Sequence, residues 1–104
     1  MKKVIDKKLY DTETADKIAA WDNGHGTTDG HYISEDLYRT KKGNWFLHGE
    51  GGGLSSYAES CGQNETCGGE SIVPLTSEEA LEWLSGHGFA DEAAQYFASE
   101  IVEA

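Results

Sequence analysis

A predicted β-hairpin in the middle of the chain constrains the fold more than any other feature. Two runs of strand-forming residues flank a Lys-Lys-Gly-Asn turn at 41–44, and together they cover about residues 32–49. Gly43 can adopt the positive φ that a bulged hairpin loop requires. Side chains alternate along a strand, so Trp45 and Phe46 point to opposite faces. Because both faces carry large apolar groups, we predict that this hairpin is central to a sheet that helices cover on at least one face.

Three helices are predicted around the hairpin. Apolar residues at helical spacing follow two possible capping side chains and indicate a first helix over about residues 12–22. Thr76 and Glu79 have the spacing of a capping box, which begins a second helix over about residues 76–86. An apolar stripe repeated every four residues indicates a third helix over about residues 91–102.

The chain, residues 1–104, is predicted to be a single domain of the α+β class with a small antiparallel sheet. A chain of 104 residues can build one modest core. Its 38% hydrophobic and 11% aromatic content excludes a disordered acidic tail. A short strand at 71–75 completes the sheet, and Pro74 restricts that strand to an edge or an end, because proline cannot donate a ladder hydrogen bond.

The charges divide the chain into a balanced half and an acidic half. The whole chain has 19 acidic and 8 basic residues, for a net charge of -11. All 8 Lys and Arg lie within residues 1–42, where 8 acids balance them, whereas residues 43–104 hold 11 acids and no Lys or Arg. Such a chain repels nucleic acid and anionic membranes. We therefore expect a basic protein or a nucleoprotein complex as partner, with no direct binding to nucleic acid or membrane.

The side chains that could carry chemistry form no recognisable catalytic pattern. No serine lies in a nucleophile elbow. His25 and His31 lie in a glycine-rich stretch without zinc-ligand spacing and are interpreted as polar residues of a surface loop. Cys61 and Cys67 are also spaced more widely than the paired cysteines of most zinc sites, which leaves zinc binding as the weaker alternative. We expect a protein that is not an enzyme, with no catalytic residue, no metal and no cofactor.

The glycine-rich run at residues 49–53 follows the second strand of the predicted hairpin. Phosphate-binding loops need a fixed glycine spacing that leads into a helix, and this run lacks it. Glu50 would also repel a phosphate. The run is therefore interpreted as a flexible turn.

The N-terminal sequence indicates a cytoplasmic protein. Its basic start has no apolar run behind it, so it does not resemble a secretory signal, and no apolar span of about eighteen residues follows. Disulfides are rare in the cytoplasm. Cys61 and Cys67 are accordingly predicted to be reduced thiols.

Three segments, residues 8–15, 37–52 and 72–80, together resemble a family of small uncharacterised proteins carried by phages and mobile elements of gut-type bacteria. The resemblance spans most of the chain. Small acidic proteins of such elements include anti-CRISPR and other anti-defence inhibitors, which this chain resembles in size and charge. The resemblance implies an inhibitory role and transfers no functional residue.

The leading hypothesis is a non-enzymatic inhibitor that mimics nucleic acid. CRISPR effectors hold nucleic acid in basic channels, and a folded acidic protein could occupy such a channel and release its counterions. The predicted contact surface consists of seven glutamates: Glu50, Glu59, Glu65, Glu70, Glu78, Glu79 and Glu82. The alternative is a regulatory or accessory module, antitoxin-like, that docks through the aromatic residues Tyr38, Trp45 and Tyr57. A third interpretation is that the acidity only keeps a small protein in solution.

Overall fold

The main sheet of the protein has four antiparallel strands, and two helices follow it in the chain. The computed structural model describes residues 1–104 and has an α+β fold. In chain order the elements are β1 (Lys2–Ile5), β2 (Lys8–Asp11), β3 (Asp16–Asp22), β4 (Ile33–Arg39), β5 (Trp45–Gly51), β6 (Glu59–Gly62), β7 (Glu65–Cys67), β8 (Gly69–Leu75), α1 (Ser77–Gly86), α2 (Ala90–Tyr96) and a short 3₁₀ helix (Ala98–Glu100). No helix is long and apolar enough to span a membrane.

The predicted hairpin is β4 and β5, and it lies at the centre of the sheet. The strand order is β3-β4-β5-β8, with every pair antiparallel. The amide of Thr40 donates to the carbonyl of Asn44 at 2.8 Å across the turn. Gly43 has a φ of 88°, which confirms the conformation that the turn was predicted to need. β8 pairs only with β5, so Pro74 lies on an edge strand, as predicted.

Both helices pack on one face of the sheet. α1 begins with the predicted capping box, in which the Thr76 hydroxyl accepts from the Glu79 amide at 3.1 Å and the Glu79 carboxylate accepts from the Thr76 amide at 2.9 Å. The core on this face consists of Ala19, Leu37, Trp45, Leu47, Ala80, Leu84, Ala93 and Phe97. The prediction that helices cover at least one face is confirmed.

A separate hairpin, β1 and β2, covers part of the opposite face. Its Tyr10 meets Phe46 edge-on, with ring centroids 5.5 Å apart, and Phe46 stacks on Tyr38 at 5.1 Å. Ile72 completes this second buried cluster. The sequence of residues 7–10 indicates a short strand or an extended entry, but the register that places Tyr10 over the sheet depends on contacts distant in sequence.

The first predicted helix, about residues 12–22, is wrong, because residues 16–22 form the edge strand β3. Ala19 and Trp21 belong to the apolar pattern that predicts this helix, but their spacing of two also fits a strand. The register shifts between Lys17 and Ala19, which marks a bulge with Ile18 as the extra residue. This irregularity interrupts strict alternation and makes the sequence look helical.

The third predicted helix, about residues 91–102, is too long. α2 ends at Tyr96, and Phe97 has a φ of -127°, outside the helical range. Phe97 stacks on Trp45 with ring centroids 5.2 Å apart, so it packs into the core although the helix has already ended. Ile101, counted as part of the stripe, is 41% exposed.

The prediction of reduced thiols at Cys61 and Cys67 is also wrong, because the two residues form a disulfide. They lie on β6 and β7, which pair as a small antiparallel hairpin. This pairing places their Cα atoms 5.8 Å apart, within the range that a disulfide spans. The hairpin was not apparent in the sequence, which was interpreted as a loop.

Candidate partner-binding surface

Carboxylates collect on the part of the sheet that neither the helices nor the N-terminal hairpin buries. The register of the four strands aligns one polar residue from each in a single row: Asp22, Ser34, Glu50 and Glu70. Residues that oppose each other in an antiparallel sheet point to the same face. This row therefore presents three carboxylates side by side, and all three acidic residues are exposed.

The adjacent row contributes a fourth carboxylate and a histidine. It contains Asp36 and His48, which oppose each other on β4 and β5. Lys17 Nζ lies 3.4 Å from the Asp36 carboxylate, and His48 Nε2 lies 2.9 Å from the Glu70 carboxylate. Lys17 therefore pairs with Asp36 and His48 with Glu70, and the acidic residues on this face outnumber these two partners.

A cleft of about 860 Å³ opens beside Glu50 and Glu70, at the end of the sheet where the row of carboxylates lies. Four acidic residues line it: Asp29, Glu50, Glu59 and Glu70. Its remaining lining is largely glycine backbone from residues 51–53 and 68–69. We define the acidic surface as the sheet carboxylates together with those of the cleft: Asp22, Asp29, Asp36, Glu50, Glu59 and Glu70.

Asp29 is fixed by the loop that precedes β4. Its carboxylate accepts the His31 amide at 2.8 Å, and the other oxygen lies 3.0 Å from the His25 ring nitrogen. The backbone hydrogen bond from His31, followed by the His25 contact, lowers the pKa of Asp29 below its ordinary value. Asp29 therefore remains negatively charged throughout the neutral range, and His25 and His31 serve as loop residues that hold it.

The glycine run at 49–53 is not the flexible turn that was predicted. Gly49 and Gly51 belong to β5, and each allows a close approach that a Cβ would block. The Tyr57 ring lies over Gly49, and a Cβ on Gly52 would lie 2.5 Å from the carbonyl oxygen of Gly30. The glycines therefore let neighbouring segments pack directly on the end of β5, and Gly30, Gly51 and Gly52 line the cleft there.

Tyr57 and α1 are joined by a carboxylate at the other face of the sheet. The Tyr57 hydroxyl donates a short hydrogen bond to Glu35 Oε2, and Trp83 Nε1 donates to Glu35 Oε1 at 3.0 Å. Burial, together with this carboxylate, raises the pKa of the Tyr57 hydroxyl far above its ordinary value. Glu35 is thus a structural link between β4, α1 and the loop before β6.

The structure brings together only part of the predicted glutamate surface. Glu50, Glu59 and Glu70 share the cleft. Glu65 lies on β7 of the disulfide hairpin and does not line the cleft. The three remaining predicted residues lie on α1, which packs on the opposite face of the sheet: Glu78, Glu79 and Glu82. Seven glutamates therefore do not form one surface, and Glu79 is engaged in the capping box.

The predicted aromatic surface is wrong for two of its three residues. Tyr38 is 7% exposed and Trp45 is 3% exposed, because they belong to the two cores on opposite faces of the sheet. Tyr57 is partly buried and hydrogen-bonded to Glu35. Large aromatic groups on a central strand are buried when both faces of the sheet are covered, so these two rings are not available for docking.

Three carboxylates of the acidic surface were missed because they come from the half of the chain that is neutral overall. Asp22, Asp29 and Asp36 were counted as balanced by the nearby lysines in sequence. Of these, Asp36 alone has a lysine within ion-pairing distance. Recognition of β3 as a strand would have placed Asp22 beside Ser34 and Glu50, so the missing signal was the strand and its register.

The acidic residues are not arranged as a metal centre. No group of three or more His, Cys, Asp or Glu side chains is positioned to hold a metal ion. The arrangement offers instead an open, negatively charged area that spans the sheet and the adjoining cleft. Such an area can attract ammonium and guanidinium groups by direct Coulomb interaction.

Comparison with known proteins gave no match to a family model, to a curated protein or to a solved structure.

Proposed function

We propose that the protein is a non-enzymatic binding module whose acidic surface contacts a basic region of a partner protein. The observation that carries the proposal is the convergence of carboxylates from β3, β4, β5 and β8 onto one face, next to a cleft with further carboxylates. Asp22, Glu50 and Glu59 of this surface form no ion pair with a lysine, arginine or histidine. Their charge is therefore free to act on a partner.

The geometry favours a protein partner with several clustered cations. Each strand contributes one residue to the row across the sheet, and neighbouring strands lie about 4.8 Å apart. The carboxylates of the row are therefore spread over a distance that a single cation cannot neutralise. A segment rich in Lys and Arg could contact the row and the cleft together. Binding of this kind accelerates association and weakens as salt rises, because exposed charges are screened beyond about 8–10 Å.

The resemblance to small acidic proteins of mobile elements narrows the proposed partner to a host complex that handles nucleic acid, such as a CRISPR effector. Basic channels of such complexes bind a phosphate backbone, and an acidic protein that fills the channel gains the same counterion release. In this form the protein is an inhibitor that acts by occupancy. It would act in the cytoplasm, and the Cys61–Cys67 disulfide is the observation against that location, since disulfides are typical of oxidising compartments.

We do not propose the accessory module that docks through aromatic rings. Its basis was the exposure of Tyr38 and Trp45, and both rings are buried.

The proposal is tested with a labelled oligoarginine peptide and two variants of equal net charge. Glu50→Gln with Glu70→Gln removes two carboxylates of the acidic surface, whereas Glu78→Gln with Glu82→Gln removes two from α1 and leaves the Glu79 cap intact. Fluorescence anisotropy at low ionic strength should show peptide binding by the wild type that weakens steeply with added salt. The first variant should bind about fivefold more weakly, while the second stays within about twofold of the wild type.

Equal weakening by the two variants would show that net charge, and no particular surface, attracts the peptide. The narrower inhibitor proposal needs a second assay, in which the purified protein competes with target DNA for a CRISPR effector complex. Failure to compete there, with the peptide result intact, would remove the CRISPR partner and retain the acidic surface.

A further inference from the structure

A second cleft, of about 400 Å³, lies between two hairpin turns and is basic. Lys7 lies in the turn that joins β1 to β2 and Lys8 begins β2, whereas Lys41 and Lys42 lie in the turn that joins β4 to β5. Half of the protein's 8 basic residues therefore line one cleft in a chain of net charge -11. These four lysines come from distant parts of the sequence, so the fold must bring them together.

The fold holds the two turns side by side through the buried contact of Tyr10. Tyr10 follows Lys8 closely on β2 and packs against Phe46, which follows the other turn on β5. Asp6 and Lys7 have φ values of 51° and 65°, as in the tight two-residue turns of β-hairpins. Lys7, Lys41 and Lys42 are therefore carried by two short, conformationally defined turns, and Lys8 directly follows the first of them.

Most of these cations lack a partner inside the protein. Lys41 Nζ lies 2.8 Å from the Asp16 carboxylate, whereas Lys7, Lys8 and Lys42 form no ion pair. Asp11 is the one acidic residue in the lining of the cleft, and one of its carboxylate oxygens already accepts the Glu13 amide at 2.9 Å. Positive charges held near one another repel, and a bound anion would relieve that repulsion.

We propose that this basic cleft, defined by Lys7, Lys8, Lys41 and Lys42, binds a small anion that carries phosphate groups. Its volume is within the range of small-molecule sites, and ammonium groups bind phosphate as point charges. Thr14 and Asn44 also line the cleft and supply neutral hydrogen-bond donors. A small anion fits better than a long nucleic acid, because a polyanion that extended beyond the cleft would meet a protein with a strong excess of negative charge.

The test uses inorganic pyrophosphate, titrated calorimetrically into the protein in a phosphate-free buffer of low ionic strength. The wild type should bind with one saturable site. Lys8→Gln with Lys42→Gln removes one cation from each of the two hairpins and should weaken binding about tenfold or more. The matched control, Lys2→Gln with Lys3→Gln, changes net charge equally on the same N-terminal hairpin but outside the cleft, and it should stay within about twofold.

Amide resonances give a second readout that locates the site. Pyrophosphate should shift the signals of residues 6–8 and 40–44 and leave those of α1 in place. Absence of saturable binding by the wild type would overturn the proposal, as would equal weakening in both double variants or resonance shifts centred elsewhere. Should the Lys8/Lys42 variant fail to fold, the single variants Lys7→Gln and Lys42→Gln replace it against the same control.

Discussion

The two faces of the four-stranded sheet are built from the same strands but are covered to different extents. On one face α1 and α2 cover the sheet, and Leu37, Trp45 and Leu47 are buried beneath them. On the other, the N-terminal hairpin covers only one end, over Tyr38 and Phe46. Beyond that end, the same strands present carboxylates and a cleft. The small N-terminal hairpin therefore lies over the apolar part of the second face, and charged residues occupy the part that it leaves uncovered.

The largest expected effects come from core truncations, which test whether the core under the N-terminal hairpin stabilises the fold as much as the core under the helices. Phe46 and Leu84 are both fully buried, one under each cover. Phe46→Ala should reduce the free energy of unfolding by about 3–5 kcal/mol and Leu84→Ala by about 2–5 kcal/mol, because each leaves a cavity in a packed cluster. Urea denaturation followed by tryptophan fluorescence measures both values.

Leu54→Ala is the control for these core variants, because Leu54 is 66% exposed and its truncation should cost less than about 0.5 kcal/mol. A loss below about 1 kcal/mol for Phe46→Ala, with the expected loss for Leu84→Ala, would contradict the comparison. It would mean that the hairpin is an attached arm and that the second face lacks a core of its own.

An intermediate effect is expected from the polar link on the helix-covered face. Tyr57→Phe removes the hydroxyl that donates to Glu35 and should cost about 1–3 kcal/mol, because a partly buried carboxylate loses one of its two side-chain donors. The raised pKa of Tyr57 adds a dependence on pH. Its contribution is complete below the ordinary pKa of 10.0 and declines as pH rises above that value, since ionised tyrosine cannot donate.

The difference in stability between the wild type and Tyr57→Phe should therefore shrink above about pH 10, measured by urea denaturation at several alkaline pH values. Tyr32→Phe is the matched control, because its hydroxyl lies 3.5 Å from the exposed Glu50 and contributes little. A constant difference from neutral to strongly alkaline pH would show that the Tyr57 hydroxyl is not held by Glu35.

The sequence was sufficient for those elements whose signals are local. The turn at 41–44, the capping box at Thr76 and the edge position of Pro74 each depend on residues a few positions apart, and the structure confirms them. The class of fold follows from the same elements. These patterns depend on residues close together in sequence and can therefore be recognised in a single chain.

The features that sequence reasoning missed depend on register between distant strands. β3 was interpreted as a helix because its bulge disrupts alternation, and this error removed Asp22 from the acidic surface. The Cys61–Cys67 disulfide required recognition of a short hairpin with weak strand signals. The acidic residues of α1 were predicted to share a surface with Glu70 because all lie in the acidic half of the sequence. Glu70 is on the sheet, however, whereas Glu78 is on the helix layer.

The smallest expected effect concerns the turn that separates the balanced and acidic halves of the sequence. Lys41→Ser with Lys42→Ser should change the free energy of unfolding by less than about 0.5 kcal/mol, since the turn conformation depends on Gly43. The Lys41–Asp16 ion pair is 71% and 62% exposed, and exposed pairs contribute little. Urea denaturation in phosphate-free buffer checks the value. A clear loss would show that the turn is held by its lysines, whereas a gain would show that repulsion within the basic cleft destabilises the empty protein.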